Sequence, residues 1–169
     1  MKIIFLDIDG VIATSSSYTR IEHLDSYLGD SWVYTGFPGL DPNCVQRINK
    51  LTDTTKAKIV ISSTWRHGTQ LDFCDLVSYL RQEGITGIII DRTPSLCKIH
   101  SVRGYDYQRG NECLSWIDAH PEVTHFVCID DDNDFHIVRD NLVQIIDGWD
   151  GIEQGIQDKH IEEAIRILS

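Results

Sequence analysis

The succession of apolar runs and amphipathic segments in this 169-residue chain predicts an α/β fold: a parallel sheet with helices on both sides. Five short runs are nearly continuous in apolar residues: KIIFLDI (2–8), KIVISS (58–63), ITGIIID (85–91), THFVCID (124–130) and NLVQIID (141–147). Unbroken runs suit strands covered on both faces, whereas a strand with one wet face alternates. The intervening segments carry helical periodicity and helix-end signals, and repeated strand, helix, strand order joins parallel strands.

The first run ends in Asp7 and Asp9, one residue apart, followed by Gly10. Burying carboxylates is costly unless they are paired or bind metal, so this strand end asks for a cation. Asp41 and Pro42 supply an N-cap and a first-turn proline for a helix that aligns Val45 and Ile48. After the second run, Leu71, Cys74 and Val77, with Phe73 and Leu80, line another helix, which Gly84 closes. A third helix runs from about Gly110 through Leu114 and Ile117 until His120-Pro121 stops it. The last places Ile161, Ala164, Ile165 and Leu168 at spacings i, i+3, i+4 and i+7. There is no internal repeat or low-complexity tract, and residues 1–169 read as one domain.

Composition bounds the function. Acids outnumber bases 26 to 15, a formal charge of −11 that argues against an extended duplex-binding surface. The reversal at residues 92–109, RTPSLCKIHSVRGYDYQR, sets Arg92, Lys98, Arg103 and Arg109 against one acid, Asp106, and marks a local surface for a polyanion. Cys44, Cys74, Cys97, Cys113 and Cys128 are odd in number and form no C-x-x-C pair, which fits reduced thiols in a cytoplasmic protein. No apolar run approaches the ~18 residues of a membrane span.

In parallel sheets, ligands sit beyond the carboxyl ends of the strands. The acids cluster at those ends: Asp7 and Asp9 close the first run, and Asp130, Asp131, Asp132 and Asp134 the fourth. If those strands are neighbours, their carboxylates converge and repel unless a hard cation joins them, and Mg²⁺ suits oxygen-only ligands of high charge. A calcium loop over 130–141 is rejected, because Phe135 and Asn141 stand where such loops need Gly and Glu.

FLDIDGVI resembles the first motif, DxDG, of the haloacid dehalogenase (HAD) superfamily, whose members are mostly magnesium-dependent phosphatases. KIVISS resembles the second motif, Arg109 matches the basic residue of the third, and VCIDDDND resembles the acidic fourth. SSTWR, RTP, RGNECLSWI and IDDDND further resemble cap-poor HAD domains associated with nucleic-acid repair proteins. The resemblance implies a three-layer Rossmann-like sheet of order 5-4-1-2-3 and a minimal cap, with a cap-like insertion at about 13–40. There Ile21, Leu24 and Leu28 precede Gly29, and Tyr18, Tyr27, Trp32, Tyr34 and Phe37 are available to pack or to stack on a base.

By the same resemblance, Asp7 attacks phosphorus, and Asp9 protonates the leaving oxygen and later deprotonates water. Asp7, the Asp9 carbonyl and Asp130 hold Mg²⁺; Asp131 and Asp134 remain alternatives for the second acid of the fourth motif, which either binds the ion through water or orients Arg109. Ser62, favoured over Ser63 because it directly follows the apolar run, and Arg109 bind the phosphoryl oxygens. A cation at a helix start faces the positive end of the helix dipole, which an anionic partner offsets. Lys98 and Arg103 are alternatives to Arg109. Gly10 permits a tight turn beside the phosphate, and Ser63, Arg66, Lys98 and Arg103 complete the substrate-binding set. An acid at position 9, which the dehalogenase members lack, favours phosphate ester chemistry over carbon–halogen cleavage. The implied activity is hydrolysis of a phosphorylated small molecule, nucleotide or nucleic-acid end; alternatives are phosphate binding without turnover and phosphoryl transfer to an acceptor other than water.

Overall fold

A computed structural model describes residues 1–17, 39–66, 72–96, 98–100, 104–106, 109–146 and 154–169, with side chains except at 98–100 and 104–106. The strands are β1 (Lys2–Leu6), β2 (Lys58–Ile61), β3 (Ile89–Arg92), β4 (Lys98–His100), β5 (Gly104–Asp106), β6 (His125–Asp130) and β7 (Leu142–Gln144). The helices are α1 (Pro42–Thr55), α2 (Phe73–Gln82), α3 (Arg109–Asp118) and α4 (Asp158–Ile167). Five strands form one parallel sheet in the order β3-β2-β1-β6-β7, and β4 and β5 pair separately as an antiparallel hairpin. Counted within the large sheet, that order is 3-2-1-4-5, the expected 5-4-1-2-3 viewed from the other edge.

β1 is central, and Ile3, Ile4, Phe5 and Leu6 are all buried. Because side chains alternate across a strand, Ile4, Leu6 and Ile8 face a core with Val45, Ile48 and Leu51 of α1, Leu76 and Leu80 of α2, and Ile161 and Ala164 of α4. Ile3 and Phe5 face the other way, against Cys113 and Trp116 of α3, Cys128 of β6, Phe135 and Val138. Phe5 meets Trp116 edge to face at 5.7 Å. Burying each large aliphatic side chain contributes about 1.5–3 kcal/mol, so this double-sided packing holds β1 firmly and its C-terminal end with it.

The helix boundaries follow local chemistry. Asp41 accepts hydrogen bonds from the Asn43 and Cys44 backbone N–H groups, with Pro42 in the first turn. Asp72 and Asp75 form a reciprocal capping box that starts α2, and Gly84, at φ +99°, lies just past its end. The core-facing stripe of α2 differs from the expected one: Leu76 and Leu80 are buried, while Cys74 is exposed. Leu71 lies outside the described residues. On α3 the buried stripe is Arg109, Glu112, Cys113 and Trp116, with Leu114 and Ile117 only partly buried. The charged members of this stripe have partners inside the protein, which is why an apolar pattern pointed to its neighbours instead.

Strands are shorter than their apolar runs. Ile85 is buried in the core ahead of β3, which begins only at Ile89, and the pairing of β2 with β3 shifts between Ile59 and Val60. The basic segment at 92–109 contains the β4–β5 hairpin. Residues 18–38 of the cap-like insertion lie outside the described residues, as does Arg103. Among the described residues, no helix is long and apolar enough to cross a membrane.

Candidate active site

Pairing brings the acids together. β1 lies between β2 and β6 with Leu6 opposite both Ile61 and Ile129, so one residue further Asp7 stands between Ser62 and Asp130. The ladder continues there, since Asp7 N–H donates to the Ile129 carbonyl at 3.0 Å and Ser62 N–H to the Leu6 carbonyl at 2.8 Å. Alternation puts Asp7 on the same face as Phe5, and Asp130 on the same face as Cys128. Both acids therefore point toward α3, whose first residue is Arg109.

Arg109 bridges them. Its Nη1 lies 2.8 Å from Asp7 Oδ1, 2.8 Å from Asp130 Oδ2 and 2.7 Å from the Ser62 carbonyl. The Asp7 contact is an ion pair without an aligned hydrogen bond, which leaves Oδ1, a buried oxygen, without a hydrogen-bond partner. The cation at the helix start thus finds its anions within the protein itself. Asp134 completes the arrangement: its Oδ2 accepts from the Arg109 backbone N–H at 3.1 Å and so caps α3.

Burial pushes the Asp7 carboxyl up to about 6, against the opposing pull of the Arg109 guanidinium. Asp130 is raised well above the usual carboxylate range by burial and then by the charge of Asp7. Asp131 is raised by burial and by Asp132, and Asp134 by burial. Burial alone lowers the Arg109 pKa, but the Asp7 and Asp130 carboxylates more than offset it and the net shift is upward.

These groups fit a divalent cation. One carboxylate oxygen from each of Asp7, Asp130 and Asp131 lies within 4.8 Å of the others. Three carboxylates against one guanidinium leave two negative charges, and Asp7 Oδ1 lacks a hydrogen-bond donor. Hard oxygen donors and that charge suit Mg²⁺. Gly10 closes the cluster, with φ +70° and a backbone so near Asp131 that a Cβ would fall 2.2 Å from Oδ2.

The remaining expected residues separate. The Ser62 hydroxyl lies 3.9 Å from Cys113 Sγ, and the Ser63 hydroxyl accepts from the Trp65 backbone N–H at 3.4 Å. Arg66 is buried: it pairs with Glu112, itself buried, and donates to the Ser63 carbonyl at 2.7 Å. With its charge met inside the protein, Arg66 braces the turn after β2, and burial lowers its pKa. Lys98 is in β4, where only the backbone is described, and Arg103 lies outside the described residues.

Sequence reasoning missed two participants. Glu112 holds Arg66 through Oε2 and receives the Leu96 N–H at 2.9 Å through Oε1, tying α3 to the segment after β3. Trp65 donates its indole N–H to Asp9 Oδ2 at 2.8 Å. An acid at a buried helix position and a tryptophan beside SS are the only sequence signals either offers.

No curated protein and no solved structure matches this chain. The order of the sheet, the DxDG strand end and the acidic fourth strand end agree with the family comparison: a model described as the HAD domain in Swiss Army Knife RNA repair proteins matches residues 3–154, and the chain belongs to that family.

Proposed function

We propose that this domain is a Mg²⁺-dependent phosphomonoester hydrolase that forms an aspartyl-phosphate on Asp7, with a nucleotide or a phosphorylated nucleic-acid end as substrate. The observation that carries the reading is the convergence of Asp7, Asp130 and Asp131 around one charge centre, with Asp9 on the loop directly beyond. Asp7, Asp130, Asp131 and the Asp9 carbonyl are the groups to hold Mg²⁺, which when bound neutralises the phosphate's charge as it meets these carboxylates.

Asp7 attacks phosphorus while the bond to the leaving oxygen breaks, and Asp9 supplies the proton that this oxygen takes. Water then attacks the phosphorus of the aspartyl-phosphate, gives its proton to Asp9, and frees Asp7 and inorganic phosphate. Arg109, ion-paired with Asp7 and hydrogen-bonded to Asp130 and the Ser62 carbonyl, aims the nucleophile and balances its charge. Ser62, with Ser63 beside it directly after β2, supplies the hydroxyl for a phosphoryl oxygen. The RNA repair association of the family and the basic residues at 92–109 support a nucleic-acid end over a sugar phosphate.

The test is a panel of nucleoside 5′- and 3′-monophosphates, phosphorylated oligonucleotides and sugar phosphates, with Mg²⁺ or chelator, on the native chain and Asp7→Asn. Release confined to native protein with Mg²⁺ and strongest on oligonucleotide ends is expected. Release absent throughout, or unchanged in Asp7→Asn, refutes the proposal. An added acceptor alcohol reports by product partition whether the phosphoryl group passes to something other than water.

A further inference from the structure

We infer that Trp65 is a positioning residue for Asp9: its indole N–H holds Oδ2 and so fixes the orientation in which the carboxyl delivers its proton. The inference rests on the phosphatase reading above and adds to it how the proton donor is aimed.

A carboxyl at a loop tip rotates broadly about its last torsion, so a general acid there needs something to choose its orientation. Asp9 lies in the turn beyond β1, where Gly10 N–H donates to the Ala13 carbonyl at 2.8 Å. Trp65 lies in the short 3₁₀ turn Thr64–Arg66 directly after Ser63, and its indole meets Asp9 Oδ2 at 2.8 Å. An indole N–H only donates, so Oδ2 stands as an acceptor toward Trp65.

The donor is itself well held. Trp65 packs against the core and lies 6.2 Å from Tyr79, ring to ring. Arg66, the next residue, is anchored by Glu112 and by the Ser63 carbonyl, and its N–H also donates to Ser63. Arg92 Nη1 adds a bond to the Arg66 carbonyl at 3.0 Å. The stretch SSTWR therefore acts as one brace: the Ser62 carbonyl meets Arg109, the Ser63 carbonyl holds Arg66, Trp65 meets Asp9, and Glu112 locks Arg66. Supporting bonds that fix a reacting group's direction matter because small misplacements cost rate steeply.

The role separates from mere packing by leaving group. A nitrophenolate leaves without needing a proton, whereas the alkoxide of a nucleoside needs one. Trp65→Phe keeps an aromatic ring and loses the N–H. With Mg²⁺ present, rapid-quench measurement of the first step is expected to show roughly ten-fold slower phosphoryl transfer from a nucleoside monophosphate, a part of the 10²–10⁴ that general acids supply. Transfer from p-nitrophenyl phosphate stays within about two-fold, and KM is unchanged for both. In an Asp9→Ala background, Trp65→Phe adds no further loss, because the two act as a unit.

Equal loss on both substrates, or full additivity with Asp9→Ala, overturns the inference while leaving the phosphatase reading intact. If native protein transfers from neither substrate, or Asp7→Asn still does, the phosphatase reading fails and this role with it. An independent readout needs no turnover: the Trp65 indole N–H resonance, assigned by its absence in Trp65→Phe, shifts in Asp9→Ala. An unmoved resonance refutes the contact itself.

Discussion

Replacing Gly10 with alanine separates the backbone's contribution to the acid cluster from that of its charges. Gly10 sits at φ +70°, where a residue with a Cβ is strained by about 1–2 kcal/mol. The added methyl also falls 2.2 Å from Asp131 Oδ2, 2.5 Å from its Cγ and 3.0 Å from its Cβ. The nearest atoms are the end of a side chain that is not fully buried, so the carboxyl swings away and the backbone stays. The stability loss is therefore the strain alone, about 1–2 kcal/mol, or a melting point lower by roughly 2–8 °C for a chain of this length. The functional loss is larger, because the displaced carboxylate leaves the group it forms with Asp7 and Asp130. Even outer-shell changes weaken metal binding about 10–100-fold, so at least a ten-fold rise in the apparent Kd for Mg²⁺ is expected. Thermal or urea melts give the first quantity and calorimetric Mg²⁺ titration the second. A variant that binds Mg²⁺ as the native chain does, with an unchanged melting point, refutes both the left-handed turn and its contact with Asp131.

The pH dependence of metal stabilisation has a defined sign. Asp7 rises from its ordinary 3.8 to about 6 on folding and Asp130 moves the same way, so between pH 4 and 6 the folded metal-free chain holds more protons than the unfolded one. Its stability accordingly falls as pH rises through that window, on the order of 3 kcal/mol from Asp7. Mg²⁺ competes with those protons, so its effect on the melting point grows from pH 4.5 to 7; equal shifts at both ends contradict the acid cluster as the site. Asp131→Asn is expected to weaken Mg²⁺ binding with little change in stability, whereas Asp134→Ala costs about 1 kcal/mol as a lost helix cap and leaves binding within a few-fold. Calorimetry and melts on the two variants should therefore move in opposite proportion. Arg66→Met strands a buried Glu112 and is expected to cost about 3–5 kcal/mol in urea unfolding; if it raises KM with unfolding unchanged, Arg66 contacts substrate instead.

The sequence alone determined the sheet class, the Asp41-Pro42 helix start and the two acid-bearing strand ends, because those signals are local. Continuous apolar runs report burial on both faces, Asp41-Pro42 caps its own next turn, and the two-residue alternation carries Asp7 onto the face of Phe5. Tertiary structure decided what the charged and polar side chains near those ends do. Arg66 resembles a free surface cation until Glu112, 46 residues away, closes on it. Trp65 resembles a core aromatic until Asp9, 56 residues away, accepts its N–H. Asp131 and Asp134 differ only in whether the chain aims them at the Asp7 and Asp130 carboxylates or at the start of α3. A polar residue's role depends on the partner that satisfies it, and in this fold those partners lie on other elements, brought near only when the sheet closes.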